Sequence, residues 1–482
     1  MAEQKLPNYV ASATPLPKDK RVGWLTSTAA SYAGVMLWFV FWQDVPSGGG
    51  SFIGGTLAEG MGFGILALVL SAAICYSLYY LVPGMLGMKT GLPLSIVGTS
   101  TYGVNGGFFM PGFLMGLLQF GWLAVNAYFA GLLLAGSFGG AQNSSLHFTL
   151  SLIWAIGAGW IGLAGIKYVG RFASYMPILP LFVLGFLLVK TLPHLSAFKP
   201  ESIMELAPVK TEGSVSLYGS QTLGVLSLMG AYVVGFFATA GAAGCDFGMN
   251  NKDKKAVQWG GLVGVFGSTV LTGVAAILII CGAYAMPEFQ EAAKTAASNA
   301  KAVNPVELMG AIVGPGMQKI LLFLLVIAAF PSACFSTLIA ANSFKATLPK
   351  VNPYISCGLG VLGACVLIIT TWAGNAGQVF TVIGASFGPV CGSMMADYFL
   401  SGCKWAGPRA GFNPAGWLAW IFGFAVGSIT LLSTAFNFTL PFVVPCPPVS
   451  AFLTGLVLYF IFAGIGLQSR VLNMPQRIDL EK

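Results

Sequence analysis

The chain has 482 residues, of which 56% are hydrophobic and only 8% charged, and its mean hydropathy is +0.81. Soluble domains carry roughly 25% charged residues, so an ordinary water-soluble globular protein is excluded. The net charge of +8 would suit a nucleic-acid surface on a soluble chain. Here the positive residues cluster at the ends of apolar runs, where they bear on membrane orientation instead.

Residues 1–24 are polar and proline-containing and lack the short apolar core and small-residue cleavage site of a secretory signal. They read as a flexible cytoplasmic tail. A hydrocarbon core about 30 Å thick needs about 20 apolar helical residues to cross it, and twelve such stretches follow. The predicted spans are 25–45, 61–82, 110–136, 147–166, 172–190, 221–244, 258–284, 319–343, 355–373, 377–400, 414–434 and 446–467. Two segments interrupt this rhythm. Residues 191–220, with Pro193, Pro200 and Pro208, predict an irregular loop, and within 286–318 the Ala-rich run from Glu288 to Ala302 predicts a short surface helix. Residues 468–482 form a second cytoplasmic tail.

If the N-terminus is cytoplasmic, 17 of the 23 Lys and Arg fall on that side and six on the other. The positive-inside rule then places both termini in the cytoplasm of a multi-pass inner-membrane protein and agrees with an even number of spans. Nucleic acid is not an expected partner; the lipid bilayer and a small molecule are. Cys75, Cys245, Cys281, Cys334, Cys365 and Cys391 are scattered singly through predicted spans and read as small apolar packing residues. Neither a disulfide framework nor a metal cluster is implied.

The first and sixth spans carry helix-breaking patterns. The first ends in Trp42-Gln43-Asp44-Val45-Pro46 and a run of glycines, and the sixth holds small residues from Gly235 to Gly244 followed by Cys245-Asp246-Phe247. If spans one to five and six to ten are halves related by inversion, these two helices correspond. Discontinuous helices at matching positions mark a transport site, so the sixth crossing is expected to break within this glycine-rich run. The alternative is that its glycines merely let helices pack closely.

No nucleophile with a base, metal cluster or paired carboxylates is visible, and His147 and His194 stand apart near the predicted outer surface. An enzyme is therefore not expected. No Lys or Arg falls near mid-membrane, which points to a neutral solute. The polar candidates to contact it are Gln119, Asn126, Thr239, Ser332 and Ser336, beside the aromatic side chains Trp38, Trp42, Phe120, Trp122, Phe236 and Phe237. Gln119 and Trp122 share one helical face, so one could hydrogen-bond and the other stack on a planar heterocycle.

Three segments resemble the nucleobase:cation symporter-1 family, in its purine-cytosine permease branch. They are Lys89-Thr90-Gly91-Leu92 with Tyr102-Gly103-Val104 and Gln119-Phe120-Gly121-Trp122, the run from Gly235 to Phe247, and Gly388-Pro389 through Ala396-Asp397-Tyr398. The resemblance implies an all-α membrane protein with a five-plus-five inverted repeat of the leucine-transporter type, about 25–190 and 221–400, plus two extra helices at 414–467. It implies a secondary active transporter importing a neutral nucleobase, cytosine or a purine, with a co-transported cation, sodium or a proton, by alternating access. The alternatives are a related heterocycle such as hydantoin, allantoin, a thiamine-related pyrimidine or a pyridoxine-like ring, and a channel or sensor on the same bundle.

Carried over residue by residue, the substrate site comprises Trp38, Gln119, Trp122, Asn126, Phe236, Phe237, Ala238 and Thr239. Phe237 would stack on the base, and main-chain groups around Phe236 to Thr239 would offer hydrogen bonds where the sixth helix opens. A cation would be held by Gly34, Trp38, Pro331 and Ser332, of which only Ser332 offers a side-chain oxygen for sodium. Asp246 and Asp397 are expected to be gating or structural acids. In span eight the chain reads Phe330-Pro331-Ser332-Ala333-Cys334, departing from the family's hydroxyl- and amide-rich pattern, which weakens both the sodium site and the specificity for cytosine.

Overall fold

The computed structural model describes residues 6–29, 32, 45–46, 54–164, 175–204, 220–298, 306, 308–348, 350–438, 440 and 442–474. Among these the chain is all-helical, with two isolated β-bridges. Ten described helices are long and apolar enough to cross a membrane by length and composition, and Pro353–Ile369 is a shorter apolar one. They follow predicted spans two to twelve in order. Span one is described at its start, Leu25–Ala29, at Tyr32 and at its last residue, Val45. Trp42, the glycine run after it and residues 205–219 lie outside the described residues.

Span two runs from Met61 to Thr90 rather than stopping near 82. Pro83 removes a backbone donor, and the wide π-turn at Cys75–Tyr80 just upstream lets the helix continue through it. Gly91 then ends the helix at φ +66°, a left-handed conformation that glycine adopts without steric cost. Span nine starts with Pro353 in its first turn while the Asn352 side chain accepts from the Tyr354 N–H.

The sixth crossing corrects the sequence reading. Gln221–Ala242 is one continuous α-helix through Phe236 to Thr239, so no backbone groups are released there. The break comes later, at Ala243, before a short helix Gly244–Gly248. The small residues serve close packing: a Cβ on Gly235 would lie 2.7 Å from the Phe380 carbonyl, and one on Gly241 would lie 2.7 Å from Tyr79.

The spans sort into two groups. The start of span one packs with spans two, six and seven, while spans three, four, eight and nine pack on one another. Span ten lies against span six and carries spans eleven and twelve. Glycines set the closest approaches. A Cβ on Gly87 would meet the Cys245 carbonyl at 2.0 Å within the first group, and one on Gly162 would meet the Cys334 carbonyl at 2.4 Å within the second. The membership repeats by fives along the chain, as two halves of five helices require.

Residues 6–24, expected to be a flexible tail, are laid across the end of the bundle. Val10 is fully buried, the Tyr9 hydroxyl donates to the Val104 carbonyl, and Arg21 donates to the carbonyls of Leu16 and Met88 at 3.1 and 2.6 Å. The Val22 N–H donates to the Asn250 carbonyl at 2.7 Å and the Val22 carbonyl accepts from Lys252 at 3.1 Å. The expected surface helix is Pro287–Ser298, and it buries Phe289 and Ala293. The segment after span five is a 3₁₀ turn, Leu192–Ala197, and a short helix, Glu201–Met204, rather than wholly irregular.

Candidate functional site

A cavity lies between the two helix groups. Spans three and eight supply one wall, with Gln119, Trp122 and Asn126 facing Ser332, Phe335 and Ser336. Tyr32, Phe236, Thr239 and Ala240 supply the other, and Ala243, Phe247 and Ile339 continue the lining toward the end where span one begins. None of these described lining residues is charged.

Trp122 is the joint between the walls. Its indole N–H donates to the Thr239 hydroxyl at 3.0 Å, and its ring stacks on Phe380 at 5.2 Å while meeting Phe236 edge-on at 4.6 Å. Phe236 and Phe380 are themselves edge-to-face at 5.5 Å. Such offset and T-shaped pairs are the arrangements ring quadrupoles favour, and they hold the rings rigid beside the cavity.

The two amides on span three differ. Asn126 is fully engaged: its Nδ2 donates to the Ala329 carbonyl and to Ser332 Oγ, each at 3.1 Å, and its Oδ1 accepts from Trp154 Nε1 at 3.1 Å. Gln119 is also buried, yet among the described residues its amide makes only a 3.5 Å contact from Nε2 to Met115 Sδ. A sulfur is a weak acceptor. Gln119 is thus the lining amide with hydrogen-bonding capacity to offer, a distinction that spacing alone does not reveal.

The other expected residues are distributed unevenly. Phe237 is fully buried away from the cavity, 5.7 Å from the Tyr32 ring and against Gly241. Phe236, one residue earlier on the helix, takes the lining position expected of Phe237. Ala238 is buried and does not line the cavity. Gly34 and Trp38 lie outside the described residues. Pro331 sits inside an unbroken helix, Pro315–Thr347, and the Ser332 hydroxyl donates to the Ala329 carbonyl at 2.8 Å while accepting from Asn126. Residues not anticipated at the site are Tyr32, whose hydroxyl donates to the Ala240 carbonyl at 2.7 Å, Ala240 itself, Ala243, Phe247, Phe335 and Ile339.

A cation site built from described residues would rest on hydroxyl and main-chain oxygens of span eight. Ser332 and Ser336 line the cavity, and the adjacent Thr337 is buried with no partner for its hydroxyl among the described residues. No group of three or more His, Cys, Asp or Glu side chains suited to a metal exists among the described residues.

The two acids lie at helix ends. Asp246, in the short helix after span six, accepts from the Leu94 N–H at 3.1 Å. Asp397, near the end of span ten, is buried against Arg409 at 3.1 Å, accepts from Tyr459 at 2.8 Å and is also bonded by the Ser100 hydroxyl. Arg409 completes that cluster by donating to the carbonyls of Ser100 and Ser469 at 2.9 and 3.1 Å.

Residues 50–453 match a family model described as permease for cytosine/purines, uracil, thiamine, allantoin. Comparison of the sequence with curated proteins finds no match. Among solved structures, the chain is similar to Mhp1 in an inward-facing conformation, with a TM-score of 0.65 and 16% identity over 97% of this chain and 96% of that one. It is similar to Mhp1, a nucleobase-cation-symport-1 family transporter, closed with bromovinylhydantoin bound, with a TM-score of 0.61 and 16% identity over 95% and 94%. A Na⁺-coupled sialic acid symporter in a substrate-bound outward-open state follows at a TM-score of 0.60 and 12% identity over 98% and 94%. At such identities the likeness is one of fold.

Proposed function

The chain belongs to the family of permeases for cytosine/purines, uracil, thiamine and allantoin, and from that premise we propose that it imports a neutral planar nucleobase, cytosine or a purine, together with a cation. The observation that carries this reading is an aromatic cavity between two helix groups, uncharged among its described lining residues, in which Gln119 is the described lining amide that keeps its hydrogen bonds for a guest. A flat ring would lie against Trp122 and Phe236, each aromatic contact contributing about 0.5 to 1.5 kcal/mol beyond area burial. The Gln119 side chain presents a donor and an acceptor side by side, the complement of an adjacent acceptor and donor on the edge of a base. A charged solute is disfavoured because the described lining offers it no counter-charge.

Transport follows from the division into two groups. Rocking of spans one, two, six and seven against spans three, four, eight and nine would expose the cavity to one side and then the other, around contacts that stay near the membrane midplane. The solved structures of similar fold include two described as cation-coupled symporters, which supports a co-transported cation, sodium or a proton. We place both termini in the cytoplasm and the protein in the inner membrane on the distribution of Lys and Arg.

The second reading changes the solute and keeps the site. A hydantoin ring presents N–H beside C=O, which a single free amide accepts as readily as a base edge, and one solved relative in fold holds bromovinylhydantoin. Thermal-shift measurements on purified protein with cytosine, adenine, hypoxanthine, uracil, allantoin and hydantoin, each in sodium and in potassium, separate these readings. A ligand at about 100 times its dissociation constant stabilises by about 2.7 kcal/mol. Stabilisation by none of these heterocycles overturns the proposal.

A further inference from the structure

The two acids at helix ends, Asp246 and Asp397, differ in company. Asp397 is paired with Arg409. Asp246 lies between Ala243 and Phe247, both of which line the cavity, and no ion pair reaches it among the described residues. The charged and titratable groups around it are committed elsewhere. On span two, Lys89 donates to the Cys403 carbonyl at 2.7 Å and Tyr80 to the Val257 carbonyl at 2.9 Å. In the N-terminal segment, Arg21 bonds the Leu16 and Met88 carbonyls. On span one, the Tyr32 hydroxyl donates to the Ala240 carbonyl. On the short helix itself, the Cys245 thiol is 3.6 Å from the Leu92 carbonyl, and in the following loop Asp253 caps the Ala256 N–H at 2.7 Å. Residues 94–97, which face Asp246 from the other side, carry no titratable group.

The position of Asp246 joins two parts that must separate. Its helix, Gly244–Gly248, is locked to span two by backbone approaches: a Cβ on Gly248 would meet the Gly84 carbonyl at 2.2 Å and one on Gly87 the Cys245 carbonyl at 2.0 Å. It therefore travels with the group of spans one, two, six and seven. Leu94 opens the segment leading to span three, which is fastened to the start of span eleven. The Arg409 N–H donates to the Thr99 carbonyl at 3.1 Å, and the Asn413 N–H donates to the Tyr102 carbonyl at 2.9 Å. The Leu94–Asp246 bond therefore spans the boundary between a mobile and a fixed part of the bundle, beside the end of the cavity.

We propose that Asp246 is a proton-binding site that latches this end of the cavity: the carboxylate holds Leu94, and taking a proton from water releases it. In the step, hydronium gives its proton to the carboxylate, leaving a neutral carboxyl and water. A neutral carboxyl is a weaker acceptor than a carboxylate, since bonds to an ionised partner are roughly twice as strong. Burial pushes the Asp246 carboxyl up to about 6, partly offset by the Leu94 N–H. Losing the Leu94 donor while the carboxyl stays buried raises its proton affinity further, so the released state is the one that a proton favours; the latch is held at higher pH and weakens as pH falls toward about 6. The inference rests on the transport reading for its purpose, though the latch is testable without any solute.

Hydrogen–deuterium exchange of the full-length protein in nanodiscs, followed at residues 94–97 and corrected for intrinsic rates, tests it. Wild-type protection should fall by up to about tenfold per pH unit as pH falls toward about 6 and level off below it, where latched and released states both carry the proton, and D246N should show low protection with no such transition. Leu94→Pro removes the donor at a first helical position, where proline is tolerated, and should abolish the pH step at residues 95–97 with the carboxyl left in place. A wild-type profile free of any step, or D246N and L94P profiles that retain it, overturns the latch. Low protection in the variants without a step in wild type marks a merely structural bond and also overturns it. Failure of every heterocycle in the thermal-shift panel, with the exchange step intact, would fault the solute assignment alone.

Discussion

The indole N–H of Trp122 on span three donates to the hydroxyl of Thr239 on span six at 3.0 Å, joining the two helix groups across the cavity that separates them. Both residues line that cavity, so a guest and the joint between the walls share the same atoms. On the proposed rocking mechanism, binding and relative motion of the groups would be coupled through this pair, because a solute that displaces or reinforces the bond would change the energy of closing.

Replacement of Trp122 by Phe keeps a ring against Phe236 and Phe380 and deletes the donor. A net hydrogen bond is worth about 0.5 to 1.5 kcal/mol, so half-saturation of uptake should rise about two- to tenfold. Trp122→Ala removes the ring as well and should cost more. Equal half-saturation in wild type, W122F and W122A, measured in proteoliposomes, would separate Trp122 from the solute.

Gln119→Leu removes the one lining amide with bonds to offer while keeping bulk. A bound solute left with an unmatched polar edge loses about 1 to 3 kcal/mol, or about 5- to 150-fold in affinity. Melting temperature without ligand should change little, because the amide has only a sulfur contact to lose. A large fall in unliganded stability with unchanged affinity would reverse this assignment.

The adjacent phenylalanines should behave as opposites. Phe236→Ala opens the cavity wall and should weaken solute binding. Phe237→Ala empties a fully buried position and should destabilise the fold by about 3 to 5 kcal/mol, with ligand preference retained in the protein that folds. Ligand-induced and unliganded thermal shifts on both variants read the two effects separately.

Asn126→Ala strands Trp154 Nε1 and frees Ser332 at once. Each buried group left unpaired costs about 1 to 3 kcal/mol, so the melting temperature should drop and uptake should fall with it. Asn126→Asp should be worse than Asn126→Gln, since it puts a charge where two acceptors, the Ala329 carbonyl and Ser332 Oγ, await a donor. A neutral outcome for Asn126→Ala would mean that water replaces the amide.

Asp397 and Arg409 form a buried pair. Removal of either partner alone, as in Asp397→Asn or Arg409→Met, should cost about 3 to 5 kcal/mol because it leaves polar groups unmatched, whereas an apolar double replacement should cost less than the sum. Thermal unfolding of the two single variants and the double variant closes the cycle.

Much of the architecture was legible along the chain, because a bilayer imposes a length and a polarity on every crossing helix. The run of spans from 61 to 464 could be drawn to within a few residues for most helices, the clear exception being span two, where a π-turn carries the helix past Pro83. Composition could also say that the solute-facing chemistry would be aromatic and uncharged. What hydropathy cannot encode is direction around a helix axis when almost every face is apolar. Phe236 and Phe237 are equivalent by composition, and only the packing of span six against spans two and ten turns the first toward the cavity and the second into the core.

The same limit explains the glycine run of span six. Glycine permits either an opened helix or a close approach, and the Phe380 carbonyl and Tyr79 sitting against Gly235 and Gly241 decide for the approach. Likewise Gln119 and Asn126 are both amides on one helix, yet tertiary neighbours saturate one and leave the other available. The sequence by itself determined that this is a membrane bundle with twelve predicted crossings and no mid-membrane cation, since transfer free energy depends on residue type. Tertiary structure alone decided which polar groups remain unmatched at the cavity, because a hydrogen bond is satisfied by a partner in space and not by a neighbour in the chain.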